Sequence, residues 1–427
     1  MSSLFQPTRP LSIAAVLPRY GASLGGGAET LVRELMLALN DRDRNSGILP
    51  IEKLEIWTTC AKDHRTWENA HPPGETLEDG FRVLRFPVDE RNLDTFIRAE
   101  LSMAGGRPLS VDEQLDWLGA GVNSRALYSH ISAEQDRFDA ILFAPYLFST
   151  TFWGSLLVPD KALVVPCLHN EAYAYQAVFR HLFRRVRGLL YNAEPEMRLA
   201  CELYGSAAAE KGTVVGMGFS EASAEGPAKV EHRDRSPLAE RKGPFLLYSG
   251  RKEQGKNLDQ LIEWYSALRS ELPQLELVII GSGEISFLEE LPPGVFDLGF
   301  VSENEKLDLM QDCIALCQPS TNESFSIVIM EAWLREVPVI VHSDCAVTRD
   351  HVVKSGGGLH AGSAAELAAV VRMLLAQPEL RAQLAVAGRN YVRETYNWPA
   401  VLTRFKDALI KCGLLEQPHA AREALSQ

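Results

Sequence analysis

The feature that most constrains this chain is a series of short apolar, β-branched runs that alternate with segments of helical periodicity, and the series occurs twice. Such alternation is typical of a parallel sheet covered by helices. The first series predicts strands at 11–17, 54–59, 81–86, 139–145, 162–168, 188–192 and 213–217. The second predicts strands at 245–250, 275–281, 296–300, 314–320 and 338–343. We therefore expect an α/β chain with two Rossmann-like domains.

A polar segment separates the two series. Residues 221–243 are rich in Ala, Pro and charge and show no periodicity, which predicts a linker between an N-terminal domain at 1–220 and a C-terminal domain at 244–398. A last helix, beginning at about 399 within 399–427, is expected to pack back on the first domain. The helix-rich stretch 89–138 is longer than a usual crossover and is expected to shape a substrate site or lid.

Charge and composition exclude several classes of protein. The 427 residues carry 43 Lys and Arg against 56 Asp and Glu, a net charge of −13, which is the wrong sign for a protein that coats nucleic acid. No stretch reaches the roughly 18 apolar residues of a membrane span, and the first residues lack the apolar core of a signal peptide. These features predict a soluble cytoplasmic protein.

The residues that most often hold metals are not grouped in a metal-binding pattern. The seven cysteines are scattered, and Cys313 and Cys317 bracket an apolar run, which favours a core position over a metal site. Asp41 and Asp43 lie in a charged segment after the first predicted helix, where a solvated loop is favoured over a metal site. We expect neither a metal nor a cofactor.

The first predicted strand leads into a glycine-rich loop. Its sequence, PRYGASLGGGAET, places Gly26 and Gly27 just before a helix. Consecutive glycines let a ligand approach the backbone, and a helix amino end attracts anions, so the loop indicates a cradle for an anion or a sugar phosphate. The alternative is a flexible surface turn.

The loop after the predicted strand 314–320 carries two carboxylates eight residues apart. Glu323 precedes the predicted helix opening at 324–327, and Glu331 follows along the helix. If one helix held both, they would lie about 80° apart in azimuth and about 12 Å apart along the axis. Amides between them would bind a phosphate. Taken alone, the two glutamates are explained better by a favourable helix start and a solvated helix position.

Basic residues and a histidine follow two further predicted strands. Arg251 and Lys256 follow the first strand of the second domain, where two cations suit a diphosphate, although basic surface residues are common. His169 is expected to end the strand 162–168, and a single histidine there is as consistent with a structural role as with a functional one.

Together these motifs resemble the retaining nucleotide-sugar glycosyltransferases of the GT-B fold, glycosyltransferase family 4, over about residues 11–400. The resemblance is carried by GGGAE at 25–29, GRKEQGK at 250–256, IIGSGE at 279–284, DLGFVS at 297–302 and NESFSIVIMEAW at 322–333. It implies two Rossmann-like domains that face each other across a cleft. It also implies a nucleotide diphosphate sugar as donor and a glycan, a lipid-linked or a small-molecule acceptor.

The resemblance implies a role for each site residue. The implied catalytic residues are Glu323 on the donor sugar, His169 near the reacting carbon, and Arg251 and Lys256 on the diphosphate. The implied donor-binding residues are Gly26, Gly27, Phe300, Val301, Ser324, Phe325, Ser326, Ile327 and Glu331. Among these, Glu331 would accept from the ribose hydroxyls and the backbone at 300–301 would pair with the base.

The chain departs from the family pattern at three places. Asn170 follows the histidine where an aspartate is common, Ser324 and Ser326 flank the phenylalanine where glycine is common, and GMGFS at 216–220 replaces an Asn-Gly-Val-Asp. The first departure leaves an acid or base role for His169 open. It also keeps alive the alternative of a catalytically degenerate nucleotide-sugar-binding or assembly protein.

The resemblance implies a metal-independent front-face mechanism with retained configuration, in polysaccharide or glycolipid biosynthesis. No carboxylate is placed as a covalent nucleophile. The segment 179–190 is basic and amphipathic, so it would either rest weakly on anionic lipid at the inner face of a membrane or cover the sheet, and covering the sheet is favoured.

Overall fold

A computed structural model describes residues 9–21, 26–220 and 243–416. The predicted linker therefore lies outside the described residues, apart from Gly243. The chain divides into two compact units, one of Met1–Gly218 with Trp398–Gln427 and the other of Phe219–Asn397.

The first unit is built on an eight-stranded sheet. Its strands are β1 (Leu11–Leu17), β2 (Ile51–Thr59), β3 (Gly74–Glu78), β4 (Phe81–Phe86), β5 (Ala140–Phe143), β6 (Ala162–Val164), β7 (Gly188–Tyr191) and β8 (Gly212–Val214). They lie in the order β3-β4-β2-β1-β5-β6-β7-β8, and all neighbours are parallel except the antiparallel pair β3 and β4. Every residue of β1 and β5 is buried, which explains why their sequences are apolar apart from Ser12.

The sequence analysis did not predict β3. This edge strand is largely exposed, and Leu77 is 79% exposed, so the strand lacks the apolar run that marks its neighbours. A two-residue turn joins it to β4, with φ of 53° at Asp79 and 81° at Gly80. Positive φ at both positions is the geometry that Asp-Gly favours in hairpins, and this dipeptide was the overlooked signal.

Among the described residues, nine α-helices of the first unit come before the second unit in the chain. They are α1 (Gly27–Asn40), α2 (Arg42–Asn45), α3 (Leu93–Ala104), α4 (Val111–Ala120), α5 (Arg125–Glu134), α6 (Ser149–Leu157), α7 (Ala177–Arg185), α8 (Glu194–Tyr204) and α9 (Ala207–Glu210). The long stretch 89–138 forms α3, α4 and α5. Each of the three is capped by a side chain that accepts a backbone N–H, from Asn92, Ser110 and Ser124 respectively. Asp41 caps α2 in the same way, which gives it a structural role.

Helix α7 is the basic amphipathic segment. Its apolar residues are buried, and Phe179 packs edge-on against Tyr146 with ring centroids 4.7 Å apart. Its arginines Arg180, Arg184 and Arg185 are exposed. The apolar face is therefore covered by the first unit's own core, which supports the interpretation that the helix covers the sheet.

In the described part of the chain, no helix is long and apolar enough to cross a membrane.

The second unit contains a six-stranded parallel sheet. Its strands are β9 (Phe245–Ser249), β10 (Glu276–Ile280), β11 (Val295–Asp297), β12 (Ala315–Gln318), β13 (Val339–His342) and β14 (Gly358–Ala361). They lie in the order β11-β10-β9-β12-β13-β14. Numbered from its own first strand, this is the Rossmann order 3-2-1-4-5-6. The sequence analysis predicted five of these strands and missed the short β14.

Six α-helices lie in the described part of the second unit, and one more returns to the first. They are α10 (Leu258–Arg269), α11 (Glu303–Asp312), α12 (Ile327–Leu334), α13 (Ala346–Ser355), α14 (Ala364–Ala376) and α15 (Pro378–Thr395), followed by α16 (Trp398–Lys411). Helix α16 packs on β8, α2 and α1 of the first unit. There the Trp398 ring covers Gly218 so closely that a Cβ would lie 2.4 Å from it.

The core of the second unit holds the short apolar helix α12 against α15. Trp333 of α12 is fully buried, and its indole N–H donates to Gly357 O at 2.7 Å. Its ring lies directly against Gly388 of α15. This contact fixes the helix that begins at the loop carrying Glu323.

Candidate functional site

The strand order of the second unit creates a topological switch point between β9 and β12. The two strands pair in parallel. From β9 the chain continues to β10, towards one edge of the sheet, and from β12 it continues to β13, towards the other edge. Ligands of open parallel sheets bind outside the carboxyl ends of strands at such a point. The loops at 250–257 and 319–326 both follow these strands, and they carry the predicted site residues Arg251, Lys256, Glu323, Ser324, Phe325 and Ser326.

A cation and a carboxylate from these two loops meet. Lys256 Nζ lies 2.7 Å from Glu323 Oε1, and the two side chains are 22% and 10% exposed. Gln318, at the end of β12, donates from Nε2 to the same Glu323 oxygen at 3.4 Å and to Ser326 Oγ at 3.2 Å. The fold thus brings together two predicted site residues that are 67 positions apart.

The backbone between Glu323 and α12 is held in an unusual conformation. Ser326 has a φ of 69°, and α12 begins at the next residue, so the loop amides lead into a helix amino end. Left-handed backbone costs a non-glycine residue about 1–2 kcal/mol. This is one of the positions where the resembled family commonly has glycine, which avoids that cost. Here Ser326 Oγ accepts from Gln318 instead.

The side chain of Phe325 anchors the loop at 319–326 to the core of the second unit. It is 2% exposed, and its ring packs against those of Phe219, His351 and Tyr396. Only its backbone is therefore available to a ligand. The anchor holds the amides at 324–327 in place, because the ring cannot leave the core without exposing apolar surface.

The structure places Glu323 in the loop, as predicted, and the helix does not begin early enough to hold both glutamates. Helix α12 begins at Ile327, so Glu323 lies in the loop and only Glu331 is helical. Glu331 is 25% exposed and it is paired, because Lys306 Nζ lies 3.0 Å from both of its oxygens. The same Nζ lies 2.8 Å from Glu303 Oε1. Burial raises the pKa of Glu331. Burial also acts to lower the pKa of Lys306, but the two carboxylates outweigh it and raise that pKa.

The remaining predicted donor residues lie at the ends of β9 and β11. Arg251 is 39% exposed, and its Nη1 lies 3.2 Å from Glu253 Oε2. The Tyr248 hydroxyl donates to Arg251 O at 2.7 Å, and burial raises the pKa of Tyr248, which keeps that donor protonated. Phe300 follows β11 and is 83% exposed. Its ring is thus presented to solvent next to Val301.

In the first unit, the glycine-rich loop already contains a carboxylate. Gly26 is the N-cap of α1, and a Cβ there would lie 2.1 Å from Glu29 Oε2. Arg19 Nη2 donates to Glu29 Oε1 at 2.5 Å, and both residues are buried. A side chain at position 26 would displace the Glu29 carboxylate, whereas Gly27 has open space around it. The Glu29 carboxylate thus lies beside this helix amino end, where its negative charge opposes that of the predicted phosphate.

His169 does not end a strand, contrary to the sequence analysis. β6 ends at Val164, and His169 lies further along the following loop. Its Nδ1 is 3.9 Å from Glu171 Oε1, which also accepts from the Tyr146 hydroxyl at 3.3 Å. Asn170 Oδ1 accepts from the Tyr175 hydroxyl at 2.7 Å. A carboxylate is thus near the histidine, but it comes from Glu171 instead of position 170.

Sequence reasoning missed Lys306, Glu29, Arg19 and Glu171 as members of these clusters. The family pattern contained a signal for Glu29, which is part of GGGAE. Lys306 had none, because its contact with Glu331 exists only through the packing of α11 on the sheet. Within the described ranges, no three His, Cys, Asp or Glu side chains are grouped as metal ligands.

Comparison with known proteins assigns the second unit to a family. Residues 230–391 match the family model Glycosyl transferases group 1. The D-inositol 3-phosphate glycosyltransferase of Jonesia denitrificans is 29% identical over 235 residues, which are 50% of this chain and 54% of that protein. The chain thus spans about half the length, or less, of the curated relatives it matches.

Solved structures extend the likeness to the whole fold. HepE of Anabaena in complex with UDP-glucose superposes with a TM-score of 0.66 at 16% identity, covering 93% of this chain and 99% of that one. Sucrose-phosphate synthase from Thermosynechococcus elongatus superposes with a TM-score of 0.65 at 16% identity, covering 93% and 98%. Both units are Rossmann-like, and the glycosyl transferases group 1 domain lies within a chain that has the GT-B fold.

Proposed function

We propose that this chain is a retaining glycosyltransferase of family 4 that moves a sugar from a nucleotide diphosphate sugar to an acceptor. The observation that carries the proposal is the contact of Lys256 with Glu323 at the switch point of the glycosyl transferases group 1 domain. The UDP-glucose bound to HepE, a protein of similar fold, supports a nucleotide-sugar donor. The acceptor is a glycan, a lipid-linked molecule or a small molecule, and the pathway is polysaccharide or glycolipid biosynthesis.

The proposed binding of the nucleotide-sugar donor is based on the charges at the switch point. Arg251 and Lys256 hold the diphosphate, the amides at 324–327 bind a phosphate, and Glu331 accepts from the ribose hydroxyls. The backbone at 300–301 contacts the base. As the bond to the sugar breaks, negative charge grows on the leaving diphosphate, and preplaced cations in a site of low water content stabilise it more strongly than water does. The two cations supply this charge, so the mechanism needs no metal.

Retention of configuration follows from a front-face reaction. The leaving phosphate oxygen helps to take the proton of the acceptor hydroxyl while the sugar passes through an oxocarbenium-like state. Glu323 holds the donor sugar, and His169, oriented by Glu171, contacts it near the reacting carbon. Gly26 and Gly27 let the acceptor approach the backbone of the first unit.

Nucleotide binding is tested by thermal unfolding with UDP, GDP, ADP and their common sugars. A ligand at 100 times its Kd stabilises the folded state by about 2.7 kcal/mol, or roughly 5–10 °C for a domain of this size. We expect one nucleotide to shift the wild type and to shift Lys256→Met much less. Lys354→Met is the matched control, because Lys354 pairs with Asp350 on α13 and belongs to neither of the loops at 250–257 and 319–326. A folded wild type that no nucleotide shifts would contradict the proposal.

Turnover separates this proposal from the degenerate binding protein. An active transferase releases sugar slowly from its donor without an acceptor, and NMR of the first product reports whether the anomeric configuration is retained. Binding without any release of sugar favours the binding protein, which the departure at Asn170 suggested.

A further inference from the structure

The second unit contains a buried ion pair that the proposed function does not use. Lys252 follows Arg251 in the loop after β9, and its side chain is 1% exposed. Its Nζ lies 2.6 Å from Oδ1 of Asp297, the last residue of β11. A lysine is almost never buried to this extent unless it is paired, since removing an ammonium from water is costly.

The pair joins the three loops that follow β9, β10 and β11. Asp297 Oδ1 also accepts from Gly299 N at 2.9 Å, which holds the start of the loop after β11. Lys252 N donates to Ser282 O at 2.9 Å, in the loop after β10. Gly283 rests against Lys252, so that a Cβ at Gly283 would lie 3.4 Å from Lys252 Cβ. Lys252 thus links three strand-end loops, through its backbone to the loop after β10 and through its side chain to the loop after β11.

Two of these loops carry opposite ends of the proposed donor site. Arg251 is the direct neighbour of Lys252 in sequence, and the backbone at 300–301 follows the amide that Asp297 holds. A nucleoside diphosphate must meet the cation and the base-contacting backbone at a fixed separation, because its ribose and phosphates have a limited reach. A preset separation lowers the ordering cost of binding.

We propose that Lys252 and Asp297 are positioning residues that set the spacing between the diphosphate-binding cations and the base-binding backbone. The inference rests on the proposed function, because it takes from it the diphosphate and base contacts. Neither side chain touches the donor. Their role is to let one nucleotide engage both loops at once.

The test compares a nucleoside diphosphate with inorganic pyrophosphate. Pyrophosphate needs only the cations, whereas UDP, GDP or ADP needs the cations and the base contact together. We expect Lys252→Met to raise the Kd of the nucleotide that the wild type binds best by about tenfold or more, and to leave the Kd of pyrophosphate within about twofold. Isothermal titration calorimetry measures both constants, and Lys354→Met is again the control.

A double variant provides the same test if Lys252→Met alone does not fold. Lys252→Met together with Asp297→Asn leaves no buried charge unpaired, so it removes the risk of misfolding that an isolated ion carries. We expect it to show the same selective loss as Lys252→Met, since the two residues act as one unit. Circular dichroism and thermal unfolding verify that each variant is folded.

The outcomes separate this inference from the proposed function. Equal losses for nucleotide and pyrophosphate would show that the pair only supports the fold, and no loss for either would show that the spacing does not depend on it. Both results overturn the inference while the proposed donor site stands. A wild type that binds neither ligand overturns the proposed function, and the inference with it.

Discussion

At the scale of single residues, the proposed ligand-binding charges have partners within the chain. Lys256 contacts Glu323, Glu331 contacts Lys306, and Arg251 contacts Glu253. A donor must therefore exchange these contacts for its own phosphates and hydroxyls. Such pairing keeps the side chains ordered before a ligand arrives, which reduces the entropy that binding would otherwise cost.

His351 packs against the loop at 319–326 through Phe325, and its burial affects the stability of the second unit. It is 1% exposed, its Nδ1 lies 3.0 Å from the Tyr391 hydroxyl, and its ring meets Phe325 at 5.4 Å. Burial lowers the pKa of His351 to about 3. The folded state therefore holds this histidine neutral over a range in which the unfolded chain, with a pKa near 6.5, binds a proton.

The first prediction concerns pH. Because the unfolded state binds the extra proton, the contribution of His351 to folding is complete above about pH 6.5 and falls as the pH drops towards 3. Between pH 7 and pH 5 this residue alone removes about 2 kcal/mol from the free energy of unfolding. Urea unfolding at both pH values measures the loss. In His351→Phe the loss should be smaller by that amount, and an unchanged pH dependence would contradict the assignment.

At the scale of elements, glycines set how closely helices and strands approach. Gly388 of α15 lies where a Cβ would be 2.2 Å from Trp333 Cδ1, inside the atoms of the ring. Alanine is normally favoured over glycine in a helix by about 1 kcal/mol. The overlap at this crossing outweighs that preference, because Trp333 is fully buried and has no room to move.

Gly388→Ala should therefore destabilise the second unit by about 1–3 kcal/mol. The matched control is Gly119→Ala in α4, where a Cβ would meet no atom within 4 Å. That substitution should be neutral or stabilising, by up to about 1 kcal/mol. Denaturant midpoints of the two variants and the wild type measure the difference. Equal effects of the two changes would refute the packing argument.

Strands were predictable from the sequence where burial alone produced an apolar run. The strands β1, β5 and β10 are apolar because they are buried, so the sequence marks them. The predicted ends ran too far where buried residues continue into a loop, as with Leu168 after β6. Contacts between distant loops left no local trace. The pairs Lys306–Glu331 and Lys252–Asp297 depend on the packing of α11 and on the pairing of β10 with β11, which spacing does not encode.

At the scale of the whole molecule, the chain returns to its first unit after completing the second. Helix α16 buries Trp398, Leu402 and Phe405 in the first unit, and Arg404 Nε donates to Val215 O at 3.0 Å. The second unit, by contrast, is one continuous segment from Phe219 to Asn397. Loss of the C-terminal segment should therefore harm only the first unit.

Removal of residues 398–427 tests this division. It takes several large apolar side chains out of the first unit's core, so we expect a loss of more than about 3 kcal/mol in the stability of that unit. Hydrogen exchange, followed separately in β1 and in β9, measures the two units. Nucleotide binding in the second unit should persist. Faster exchange in β9 than in β1 would contradict the assignment of α16 to the first unit.

The carboxylate at the amino end of α1 has a consequence for the first unit's ligand. Glu29 is tied to the helix that it faces, so it acts as an intramolecular competitor at an effective concentration in about the millimolar range or above. A phosphate arriving from solution at ordinary cellular levels would have to outcompete a rival that never diffuses away. A neutral hydroxyl group meets no such competition, since it can donate to the carboxylate itself. Under the proposed function, the amino end of α1 should therefore accept a neutral, hydroxyl-bearing acceptor more readily than a phosphate.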